Sequence, residues 1–201
     1  MTGDTTAAAG HRRASIGARR NPEAEAAILD AARALLAERG YAGFSIEEVA
    51  RRAGAGKPTI YRWWPTKADL FIDVYSAEKS ATLAPPRTGA LWSDLLAYTR
   101  ALWAFWRDTP SGRTFRALIA EAQASAPALV ALRDKFLPQR LKDVRRMFEE
   151  AAARGEIEPQ AVEHLLTLYI GFNWVHLLTD RIADDPEGIE IVARTLAARR
   201  Q

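Results

Sequence analysis

Lys57, Thr59, Tyr61, Arg62 and Trp63 crowd into seven residues behind Gly54-Ala55-Gly56, and together they offer two cations, two hydroxyls and an indole. Side chains of these types hold phosphate oxygens and reach base edges. Pro58 suits only a helix's first turn and Pro65 ends the rod, so residues 57–64 make roughly two helical turns. On that rod Ile60 and Trp64 face one way, toward a core, and the polar set faces the other.

Other chemistries fail on spacing. Gly54-Ala55-Gly56-Lys57-Pro58-Thr59 resembles a phosphate-cradling loop, but Arg51 stands where that loop needs its first glycine and Pro58 where it needs Ser or Thr. His164 and His176 are twelve residues apart, roughly 120° around a helix, and do not form a chelating pair. There is no HExxH and no GxSxG, and the cysteine count is zero, which removes thiolate metal sites, disulfides and cysteine nucleophiles together. Nothing nominates a nucleophile with a base. The expectation is no enzyme activity, no metal and no cofactor.

The elements that must position the polar rod are legible nearby. Asn21-Pro22-Glu23 opens a helix with an N-cap, a first-turn proline and acids in the first turn; Ile28, Ala32, Leu35 and Leu36 stripe it and Gly40 ends it. Ser45 and Glu48 stand at capping-box spacing, Ile46, Val49, Ala50 and Ala53 follow at helical period, and Glu47, Arg51 and Arg52 face out. Gly54 stops that helix, so residues 45–64 read as short helix, three-residue turn, short helix: a helix-turn-helix. Thr66 and Asp69 form a second capping-box pair for the helix that follows.

The composition, 48% hydrophobic and 26% charged, is that of a globular chain. Residues 1–67 carry eleven Lys and Arg against seven acids, while the remainder is nearly balanced, so the basic excess lies in the first third. That segregation points to an anionic partner, nucleic acid first and a membrane surface second. Residues 1–20 lack large apolar side chains and read as a flexible basic arm in which Arg12, Arg13, Arg19 and Arg20 hold phosphates or enter a minor groove. No secretory signal is seen, and the most apolar stretch, 165–178, is too short and too polar to span a bilayer. The expected location is the cytoplasm.

Beyond residue 66 the helical patterns run 66–80, 91–108, 111–124, 127–153, 159–181 and 186–200, with Pro138 expected to interrupt the fourth. No strand pattern of convincing length occurs. Segment 159–181 is apolar almost all round and must be covered on every side. With 186–200 it is expected to form a two-fold four-helix interface through Leu165, Tyr169, Phe172, Leu177, Ile189, Val192 and Leu196. Rigid walls for a flat or greasy ligand are expected from Trp92, Trp103, Trp106, Phe115, Phe136 and Phe172, with Glu121, Asn173 and His176 as polar handles. Arg100 and Arg116 are further candidates.

Ile28 through Leu70 resembles the DNA-binding domain of TetR-type transcriptional repressors. The resemblance is carried by Gly40-Tyr41-Ala42-Gly43-Phe44-Ser45-Ile46, Val49-Ala50-Arg51-Arg52-Ala53-Gly54 and Thr59-Ile60-Tyr61-Arg62-Trp63-Trp64-Pro65-Thr66-Lys67. The later helices are similar to that family in number, order and size. The resemblance implies an all-α homodimer that holds a double-stranded DNA operator and releases it when a small-molecule effector binds. Position by position it implies that Tyr61 and Lys67 grip phosphates and that Lys57, Thr59 and Arg62 make phosphate or base contacts; Ser45, Pro58 and Trp63 complete the expected set. Gly56 departs from the pattern, since many members place a capping Ser there. The expected organisation is an arm (1–20), a helix-turn-helix domain (21–66) and a ligand-binding and dimerisation domain (67–201). The alternatives carried forward are a DNA-independent helical carrier or adaptor and a helical enzyme.

Overall fold

The structure is a computed structural model that describes residues 21–124, 126–183 and 186–198. The expected arm residues Arg12, Arg13, Arg19 and Arg20 lie outside them. Among the described residues every regular element is helical. No described helix is long and apolar enough to cross a membrane.

Helix α1 (Pro22–Arg39) starts as expected, with the Asn21 side chain accepting from the Glu23 N–H at 3.0 Å. It buries Ile28, Ala32, Leu35 and Leu36 and packs on α2 (Ile46–Ala53), which in turn carries α3 (Lys57–Trp63). Between α2 and α3, Gly54 takes a left-handed φ of 62°, a conformation that costs a side-chain-bearing residue energy and lets the chain turn at once. The Ser45–Glu48 capping box is only half made. Ser45 Oγ accepts from the Glu48 N–H at 3.3 Å, but the Glu48 carboxylate turns away to Arg51 and Arg52. Arg52 does not face out as expected either. Its guanidinium forks onto Glu38 of α1 at 2.8 and 2.7 Å, because a planar fork matches a carboxylate better than water does. It therefore ties α1 to α2.

Helix α4 (Lys67–Thr82) opens with the complete capping box expected of Thr66 and Asp69. The Trp64 indole at the end of α3 donates to Asp73 at 2.6 Å, so the two helices are joined by a side chain as well as by Pro65. Helices α5 (Leu91–Asp108) and α6 (Pro110–Gln123) meet at a tight corner. A Cβ on Gly112 would lie 2.3 Å from the Phe105 carbonyl oxygen, so only glycine permits that approach.

The expected interruption near Pro138 takes the form of a widened π-helical turn, Leu132–Phe136, between α7 (Ala126–Ala131) and α8 (Leu137–Ala153). Pro138 has no N–H to donate and its ring crowds the carbonyl a turn earlier, which a wider turn relieves. Helix α9 (Val162–Leu178) follows a single 3-10 turn at Pro159–Ala161, and α10 (Pro186–Ala197) packs along α5 and α9. Helix α6 touches both α1 and α4, which makes it the bridge between the helix-turn-helix and the rest.

Candidate nucleic-acid interface and buried cavity

Helix α3 presents its two faces as the spacing requires. Ile60 and Trp64 are buried, whereas Lys57, Pro58, Tyr61 and Arg62 are exposed and Thr59 is half-buried. Neither Lys57 nor Arg62 forms an ion pair with a described residue, so both charges remain available on the surface. The Tyr61 hydroxyl donates to the Glu47 carboxylate at 3.0 Å, which sets the ring across the α2–α3 turn; that bond also raises the phenol's pKa. Trp63 is half-buried, edge-on to Trp64 at 5.7 Å between centroids. Gly56 provides no side-chain cap, as its residue type requires. Ser45 is occupied in capping α2.

Lys67 is held from behind. Its ammonium lies 2.9 Å from Glu121 of α6 and 4.4 Å from the centroid of the Tyr41 ring, while the Tyr41 hydroxyl donates to the same carboxylate at 3.4 Å. Burial, and secondarily the Glu121 charge, holds the Tyr41 phenol well above its usual range. Glu121 therefore ties the start of α4 to α6, and it does not line the small cavity between α4, α5, α8 and α9.

A larger cavity of about 350 Å³ is lined by Trp106, Arg113, Arg116, Leu177 and Asp180 among others. The small cavity, of about 30 Å³, lies between α4, α5, α8 and α9, lined by Lys79, Tyr98, Leu102, Trp106, Arg140, Leu141, Val144, Tyr169, Ile170, Asn173 and Trp174. Its distinctive group is the Arg140 guanidinium, which sits over the Tyr75 ring at 4.2 Å with Phe115 at 5.0 Å, Phe136 at 5.6 Å and Trp106 at 5.9 Å. Its Nη1 is buried without a hydrogen-bond partner, and so is the Tyr98 hydroxyl. Lys79 donates to the Arg140 carbonyl at 3.2 Å. Burial lowers the Lys79 pKa to about 7, Arg140 adds to the fall and Asp143 opposes it. Burial pushes the Tyr75 and Tyr169 phenols up to about 12 and Tyr98 higher still.

The aromatic residues expected to wall a pocket divide into three groups. Trp106 reaches the cavity; Phe115 and Phe136 stand behind Arg140 as its cage. Trp103 donates its indole N–H to Asn173 at 2.7 Å, stacks on Phe172 and lies tilted against His176, while Asn173 donates to the Tyr169 carbonyl, so Asn173 lines the cavity with both its oxygen and its nitrogen already engaged. His176 Nδ1 is occupied by the Phe172 carbonyl at 2.9 Å. Trp92 is half-buried beneath the Arg194 guanidinium, away from the cavity.

The expected interface residues divide by burial. Tyr169, Leu177, Ile189 and Leu196 are buried within the chain's own core, and Leu165, Phe172 and Val192 pack partly against it. On α9 and α10 the large apolar side chains left in the open are Leu168 (57% exposed), Val175 (58%), Leu178 and Ile191 (65%). A helix apolar on every side carries no periodic signal, so only packing decides which side turns inward.

The sequence reading missed Lys79, Tyr98 and Arg140. A signal existed: Phe71, Tyr75 and Lys79 follow at four-residue spacing, as do Phe136, Arg140 and Val144, and a cation in an otherwise apolar stripe marks a buried polar group.

A family model described as bacterial regulatory proteins, tetR family, matches residues 28–74, and one described as Tetracyclin repressor-like, C-terminal domain, matches residues 85–196. The chain is 30% identical over 158 residues to the HTH-type transcriptional regulator AqdR of Rhodococcus erythropolis, covering 79% of this chain and 75% of that protein. It is 29% identical over 131 residues to the uncharacterized HTH-type transcriptional regulator YdeS of Bacillus subtilis, covering 65% of this chain and 66% of that protein. Among solved structures, the TetR family transcription regulator SCO0332 superposes with a TM-score of 0.76 at 34% identity, covering 87% of this chain and 97% of that one.

Proposed function

This chain belongs to the TetR family of DNA-binding transcriptional regulators, and from that premise we propose that it is a repressor: a homodimer that holds a palindromic operator and releases it when a small molecule enters the larger domain. The observation that carries this reading is the outer face of α3, where Lys57, Tyr61 and Arg62 stand exposed around Thr59 while Ile60 and Trp64 anchor the helix from behind. Two such helices about 34 Å apart meet successive major grooves, which requires a two-fold mate. The exposed apolar side chains Leu168, Val175 and Ile191 supply a surface for one.

Release follows from geometry. A molecule that enlarges the cavity displaces α5 and α8, α6 moves with α5, and the Glu121 grip carries Lys67 and α4 along. The Trp64–Asp73 bond passes that displacement to α3. A state preference of about 2.7 kcal/mol lowers operator affinity roughly a hundredfold. Gel shifts against DNA from the protein's own promoter region test the reading. A shift at low salt that disappears with Arg62→Ala supports it, and no shift for the unmodified chain overturns it in favour of a DNA-independent helical module.

A further inference from the structure

The cavity has a definite charge. Of its lining residues only Lys79 and Arg140 are formally charged, and both are cations. Asp143 lies 4.0 Å from the Lys79 ammonium, is over a third exposed and is not part of the lining. Glu78, one turn after Tyr75 on α4, also stays out of the lining, although its Oε2 is likewise buried without a hydrogen-bond partner. The aromatic cage offers the guanidinium only π faces, which attract a cation without accepting a hydrogen bond along its N–H edge. Arg140 Nη1 and the Tyr98 hydroxyl are thus two buried donors without an acceptor among the described residues, and buried donors are nearly always satisfied by protein, water or a ligand.

We propose that the effector is a small hydrophobic carboxylate, whose head accepts hydrogen bonds from Arg140 Nη1 and the Tyr98 hydroxyl while its apolar body lies against Leu141, Val144 and Trp174. This deepens the effector-release reading above and rests on it. The volume fits the head, since about 30 Å³ admits roughly two waters or one carboxyl group. The apolar body must part α8 from α9, and the α8 movement is one component of the displacement that release requires. Arg140 remains a cation even though burial lowers its pKa, so the head meets a permanent charge. Lys79, 3.2 Å from the Arg140 carbonyl, adds a second charge when protonated.

The test is calorimetric titration of the full chain near neutral pH with acetate, benzoate and octanoate, each beside its primary amide, without DNA. At least one acid is expected to bind, with its amide at least about tenfold weaker, as the loss of a charge-assisted hydrogen bond dictates. Tyr98→Phe removes only the orphaned hydroxyl, so it keeps the fold and weakens the acid about tenfold; Arg140→Met abolishes binding. The inference is overturned if no acid binds at millimolar concentration, if amides match acids, or if Tyr98→Phe leaves acid affinity unchanged. Operator release is measured separately. Acids that bind without releasing DNA keep Arg140 and Tyr98 as a carboxylate site but overturn its role as the effector site, whereas release by the amides alone overturns the carboxylate and supports the release mechanism.

Discussion

The Lys67 ammonium and the Glu121 carboxylate, 2.9 Å apart, join the start of α4 to the far end of α6. The pair sets a competition, because a cation neutralised by Glu121 must give up part of that contact to hold a phosphate. Glu121→Gln is expected to strengthen DNA binding at low salt and to steepen the salt dependence by about one counterion, as read by fluorescence anisotropy over a salt series. Lys67→Ala is expected to flatten it by about one, and the double variant to match Lys67→Ala alone. A Glu121→Gln protein with unchanged salt dependence removes Lys67 from the phosphate contacts.

On α3 the exposed residues divide by role. Tyr61→Phe loses the hydroxyl now shared with Glu47 and is expected to weaken all DNA sequences alike. Arg62→Ala and Lys57→Ala are expected to cost about 1–3 kcal/mol on the cognate site and less on random DNA, which relaxes preference. Competition binding against scrambled duplexes separates the two outcomes.

Lys79 makes stability depend on pH. Its pKa falls from 10.5 in the unfolded chain to about 7 in the fold, where Arg140, Asp143, Tyr98 and Tyr169 surround it. Between those values the unfolded state holds the extra proton, so stability rises with pH by up to ~1.4 kcal/mol per unit, and the full cost of burying the charge is felt below about pH 7. Lys79→Met is expected to stabilise the chain most near pH 6 and to lose that advantage by about pH 10. Urea unfolding at several pH values checks it; a gain that does not depend on pH contradicts the assignment.

The open apolar face gives a separate test of assembly. Val175→Glu and Ile191→Glu fall on exposed positions, so far-UV circular dichroism is expected to be unchanged. Light scattering is expected to show monomers in place of dimers, and operator affinity to fall by at least about a hundredfold as the second half-site contact is lost. Dimers that survive both changes place the interface elsewhere.

Local signals carried a large part of the architecture. Asn21, Thr66 and Asp69 cap helices that begin next to them, because a cap reads only backbone groups two or three residues away. Gly54 stops α2 for an equally local reason, its left-handed φ. The inward and outward faces of α3 followed from period alone. The Ser45–Glu48 box shows where such reasoning stops: its spacing is right, but Arg51 and Arg52 compete for the carboxylate and win.

From the residues alone came the helical class, the helix-turn-helix and its outward polar face, since each depends on spacings of three, four or seven along one chain. Folding in three dimensions decided the partners. Glu121 meets Tyr41 across eighty residues of chain, Arg140 enters a cage built from three other helices and a π turn, and α9 turns Tyr169 in and Val175 out though both sides are apolar. Hydrophobic burial is non-directional, so composition alone does not fix which apolar side is covered or which cation is trapped beneath it.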